Sequence, residues 1–101
     1  MELYKIMIVD DEEEVRKAIV KKMDWEGLGF EVVADAENGI DALEKAENLD
    51  LDVILTDIKM PFMDGLELGR VLQEKHSPIK LIVFSGFDEF EYAKEAIRLN
   101  V

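Results

Sequence analysis

Three carboxylates stand out by position. Asp10 and Asp11 close an apolar run, Ile6-Met7-Ile8-Val9, and Asp57 closes another, Val53-Ile54-Leu55-Thr56. If the two runs are neighbouring strands of one sheet, the three side chains converge. Two carboxylates about 4 Å apart repel by roughly 4 kcal/mol at an effective dielectric of 20. Such a trio either retains a proton at a raised pKa or is neutralised by a divalent cation. An oxygen-only ligand set suits a hard ion such as Mg²⁺. Taken singly, each residue has a plainer reading, because Asp after a strand is ordinary helix-cap or turn chemistry. Asp11 beside Asp10 weakens that reading, since only one of the pair can cap. Ser85 ends a further apolar run, Leu81-Ile82-Val83-Phe84, and is followed by Gly86. A hydroxyl there is placed to donate to an anion bound beside the acids.

Composition narrows the alternatives. The chain has no cysteine and one histidine, His76, which excludes disulfides, thiolate sites and multi-histidine zinc sites. A formal charge of −12 opposes direct binding to DNA or anionic membrane. Most of its 24 acidic residues read as solvated surface. The 101 residues form one domain with 49% hydrophobic content, and the start shows no signal peptide. No apolar run approaches the roughly 20 residues of a membrane span, and we expect a soluble cytoplasmic protein.

The elements that must position the acids follow from periodicity. Strands are predicted at 3–9, 30–34, 52–56 and 79–84. Helices are predicted at about 12–23, 39–47 with Asn38 as N-cap, 65–75 and 88–99. Gly69 inside the third helix implies close packing against the sheet. The βαβα alternation predicts a doubly wound parallel sheet, in which ligands bind beyond the carboxyl ends of the strands. Phe84 and Phe90 phase with the core, and Phe87 and Tyr92 face outward. Trp25 packs at the bottom of the sheet, and His76 near a helix end has no catalytic part.

With these pieces placed, the sequence resembles the response-regulator receiver family along its whole length. The resemblance rests on Ile8-Val9-Asp10-Asp11, on Ala36-Glu37-Asn38-Gly39, on Leu55-Thr56-Asp57-Ile58-Lys59-Met60-Pro61 through Asp64-Gly65, and on Ser85-Gly86. Phe87-Asp88-Glu89-Phe90-Glu91-Tyr92-Ala93, with Ala96-Ile97-Arg98-Leu99 and Asp24-Trp25, is similar to the subgroup with an AraC-type DNA-binding output domain. The resemblance implies a flavodoxin-like receiver fold over residues 1–101. It implies that Asp57 accepts a phosphoryl group from a sensor histidine kinase and that the module switches a transcriptional output domain. In the family's terms Asp11, Asp57 and the Lys59 backbone carbonyl bind Mg²⁺ directly, Asp10 acts through a coordinated water, and Ser85 hydrogen-bonds the phosphoryl group. The module is regulatory rather than an enzyme beyond its own phosphorylation and dephosphorylation.

Receivers continue into a fifth strand with a Lys-Pro pair and a fifth helix, whereas this sequence stops at Val101. The expectation is a receiver lacking its last strand and helix, with a bare sheet edge that favours a homodimer or an exchange of elements. The missing lysine also motivates an alternative, a phosphorylation-independent interaction module. A small Mg²⁺-dependent phosphohydrolase is a third reading. It is disfavoured because Lys59 stands where such enzymes carry a second acid.

Overall fold

Continuous apolar runs make sense only for strands covered on both faces, and the computed structural model, which describes residues 2–84, bears this out. The order is β1 (Tyr4–Val9), α1 (Glu13–Lys22), β2 (Phe30–Ala36), α2 (Gly39–Ala46), β3 (Val53–Asp57), α3 (Gly65–Glu74) and β4 (Lys80–Phe84). All strand pairs are parallel, in the order β2-β1-β3-β4. The predicted elements are all present up to residue 84, with ends moved by one or two residues. The predicted helix at 88–99, and the readings of Ser85, Phe87, Phe90 and Tyr92, lie outside the described residues.

Alternate residues of β1 supply two cores. Ile6 and Ile8 join Val53 and Leu55 of β3 and meet Ile19 and Met23 on the α1 side, together with Trp25, Phe30 and Phe84. Met7 and Val9 join Ile54 and meet Ala42 of α2 and Leu68 and Leu72 of α3. Ile6 to Val9 are all fully buried. Burying each such side chain contributes about 1.5–3 kcal/mol, so β1 is the central beam of the fold.

Trp25 is buried, packs edge-on against Phe30 with ring centroids 6.4 Å apart, and donates its indole N–H to the Ile19 carbonyl at 3.2 Å. A Cβ on Gly69 would come within 2.8 Å of Leu81 Cδ2, which accounts for glycine at that helical position. Asn38 caps α2 as predicted, accepting from the Asp41 N–H at 2.9 Å. Asp64 caps α3 in the same way through the Glu67 N–H at 2.8 Å.

The β1–β2 ladder carries a bulge. Ile6 lies opposite Val32, but Met7 lies opposite Ala34, so Val33 is the extra residue. Val33 and Ala34 consequently both pack on the α2 and α3 side. The strand runs on to Ala36, two residues past the predicted end.

Candidate functional site

The sheet order puts β1 beside β3, with Val9 opposite Thr56. The residues that follow, Asp10-Asp11 and Asp57, therefore emerge side by side at the carboxyl ends, where the strand order reverses. One carboxylate oxygen from each of Asp10, Asp11 and Asp57 lies within 4.8 Å of the others. The convergence expected from the sequence is thus present.

The three acids differ in setting. Asp10 is 2% exposed, Asp57 is intermediate and Asp11 is exposed. The Asp10 carboxylate accepts the Glu12 N–H at 2.8 Å, its own N–H donates to the Ala36 carbonyl at 3.1 Å, and its carbonyl accepts from Arg16 Nη1 at 2.7 Å. Burial raises the Asp10 pKa from 3.8 to about 6 against the opposing Glu12 N–H bond, and the charges of Asp57, Asp11 and Glu12 push it the same way. Asp57 ends β3 and accepts the Ile58 N–H through Oδ1 at 2.7 Å.

The loop after Asp57 is held from several sides. Ile58 donates to the Phe84 carbonyl at 3.1 Å, Gly65 to the Ile58 carbonyl at 2.8 Å, and Gly39 of α2 to the Met63 carbonyl at 2.9 Å. The buried Thr56 hydroxyl donates to the Asp57 carbonyl at 2.9 Å. Gly65 sits so close to Asp57 that a Cβ would overlap the Asp57 carbonyl. Phe62 is 84% exposed and holds a positive φ of 69°. Lys59 lies in this loop with an exposed side chain, and Ser85 falls outside the described residues.

Sequence reasoning missed Arg16, whose side chain is 12% exposed and whose Nε lies 3.2 Å from Asp35 Oδ1. A signal existed: Arg16 is three and four residues before Ile19 and Val20, on the packed side of α1.

A parallel β2-β1-β3-β4 sheet with helices on both faces defines a doubly wound α/β module with acids at its switch point. Comparisons with known proteins agree. The family model for the response regulator receiver domain matches residues 6–101. The transcriptional regulatory protein YesN of Bacillus subtilis is 41% identical over 99 residues, covering 98% of this chain and 27% of its own length. The receiver domain of AraT, a response regulator from Geobacillus stearothermophilus, is 46% identical with a TM-score of 0.74, covering 98% of this chain and 77% of that one. A two-component transcriptional regulator AraC from Clostridium phytofermentans is 35% identical with a TM-score of 0.74, covering 92% and 72% of the two chains. This chain belongs to the response regulator receiver domain family, and its fold is the flavodoxin-like fold of these neighbours. It spans about a quarter of the length of YesN. Among the described residues no helix is long and apolar enough to cross a membrane.

Proposed function

We propose that the chain is a cytoplasmic phosphoacceptor module in which Asp57 takes a phosphoryl group from a sensor histidine kinase. A carboxylate oxygen of Asp57 attacks phosphorus, the P–N bond to the donor imidazole breaks, and an acyl phosphate forms. The observation that carries this reading is the meeting of the Asp10, Asp11 and Asp57 carboxylates at the ends of β1 and β3.

The donor set fits Mg²⁺. It is all oxygen and it crowds negative charge within 4.8 Å, and burial together with the neighbouring acids raises the Asp10 pKa. Asp11, Asp57 and the Lys59 backbone carbonyl would hold the ion, while the neighbouring Asp57 and Ile58 carbonyls are already engaged. When bound, the cation supplies the charge neutralisation that phosphoryl transfer needs at a carboxylate nucleophile. The remaining work belongs to the chain. Asp10 adds charge at second remove, the Ile58 N–H orients the Asp57 carboxylate, and the loop clamped to Phe84, Gly65 and Gly39 keeps it at the strand end. Ser85, next to Phe84, is assigned to hydrogen-bond the phosphoryl group.

The added phosphate brings about −1.5 to −2 charges, enough to reset contacts around the site. We assign that change to the control of an output domain, AraC-type and DNA-binding. The relatives named as transcriptional regulators support this assignment. The test is incubation of the full chain with acetyl phosphate and Mg²⁺, followed by intact mass measurement. One phosphoryl adduct is expected, lost on chelation and lost in Asp57→Asn. An adduct that persists in Asp57→Asn rejects the role of Asp57.

A further inference from the structure

The Asp10-Asp11 turn is aimed by a residue outside the acidic centre. Arg16 lies in the first turn of α1, six residues after Asp10, with its side chain mostly buried. Nη1 donates to the Asp10 carbonyl at 2.7 Å, the short distance of a charge-assisted bond. That bond fixes the plane of the peptide joining Asp10 to Asp11, and with it the direction in which Asp11 leaves the strand. The preceding peptide is pinned by the Asp10 N–H on Ala36, and the Asp10 carboxylate by the Glu12 N–H.

Arg16 is itself held. Its Nε is 3.2 Å from Asp35 Oδ1, an ion pair whose alignment falls short of a hydrogen bond. Asp35 is anchored in β2 opposite Ile8, and its carbonyl accepts from Lys45 Nζ of α2 at 2.6 Å. The chain of contact therefore runs from β2 through Arg16 to the metal-facing turn.

We propose that Arg16, braced by Asp35, is a positioning residue that sets the Asp10-Asp11 turn for cation binding. The inference rests on the metal reading of the acidic centre. Its sign separates it from simple electrostatics. Removing a positive charge near a cation site would, by charge alone, tighten cation binding. Loss of positioning weakens it, by about tenfold if Arg16 resembles other outer partners of metal ligands.

The test is Mg²⁺ titration calorimetry on the full chain, alongside hydrogen exchange of the Glu12 amide without metal. Arg16→Met is expected to weaken Mg²⁺ binding about tenfold and to speed Glu12 exchange, while Asp35→Asn does both to a smaller degree. The double variant should bind no more weakly than Arg16→Met, because the two residues act through one route. Arg16→Lys, which keeps the charge without the fork, should recover part of the loss. Unchanged or tighter Mg²⁺ binding in Arg16→Met overturns the proposal. If Arg16→Met fails to fold, Asp35→Asn at its half-exposed position decides in the same way. If the unaltered chain binds no Mg²⁺, the metal reading falls. The Glu12 amide alone then decides whether Arg16 holds the turn.

Discussion

Replacing Asp10 with Asn should make the metal-free chain more stable, although it alters the most buried acid of the site. The Asn Oδ1 can still accept the Glu12 N–H, so the variant removes charge and keeps the turn. Asp10 loses its proton near pH 3.8 when unfolded and near 6 when folded. Between those values the folded state binds more protons, so this group's contribution to stability falls as pH rises from about 4 to about 6 and stays low above. A displacement of roughly two pH units corresponds to about 3 kcal/mol. Burial is its largest cause, and Coulomb repulsion from an ionised neighbour, about 3.5 kcal/mol across the outer limit of 4.8 Å at a dielectric of 20 before screening at the exposed Asp11, acts in the same direction. We expect Asp10→Asn to gain about 2 kcal/mol at pH 7–8 in a chelator, or roughly 8–16 °C in Tm for a domain of this size. The gain should shrink towards zero near pH 4. Mg²⁺ at 100 times its Kd should stabilise the unaltered chain by about 2.7 kcal/mol and the variant by less. Thermal unfolding across pH, with and without Mg²⁺, is the assay. Destabilisation of Asp10→Asn in chelator at pH 8, or a gap that does not close on acidification, would refute the reasoning.

Two further substitutions probe the loop between β3 and α3. Gly65→Ala should cost about 1–3 kcal/mol in urea unfolding and weaken Mg²⁺ binding, because the new methyl group displaces the Asp57 backbone; unchanged values for both would contradict the close approach. Phe62→Asn should gain about 0.5–1 kcal/mol, since the residue is 84% exposed and its positive φ suits Asn better. A lower urea midpoint would count against that.

Much of the centre was legible because acids at strand ends break the apolar pattern. Asp10, Asp11 and Asp57 were recognisable by type and place, yet their meeting depended on β1 lying next to β3, which no local pattern states. Asn38 was readable as a cap because it stands just before an amphipathic run. Asp64 does the same work but was masked by its place in a loop already marked by Pro61 and Gly65. Arg16 was hidden among the charges of α1, where the helical phase of one polar residue competes with many solvated neighbours. The end of β2 was misjudged because Asp35 interrupts an apolar run, and the bulge that accommodates it has no simple local signature.

That bulge carries a consequence for the chain's tolerance of insertions and deletions. Along a strand, parity decides which helix layer a side chain sees. Were Val33 paired in regular alternation, Asp35 would lie opposite Val9 and share the side of Met7 and Val9 with α2 and α3. With Val33 bulged out of the ladder, Asp35 lies opposite Ile8 instead, turns to α1 and reaches Arg16. A single-codon deletion of Val33 would thus leave Ala34 opposite Met7 and Asp35 opposite Ile8, whereas a residue added between Ala34 and Asp35 would exchange the neighbours of every residue downstream in the strand. Such an insertion would strand a carboxylate over the wrong layer and leave the guanidinium without its brace.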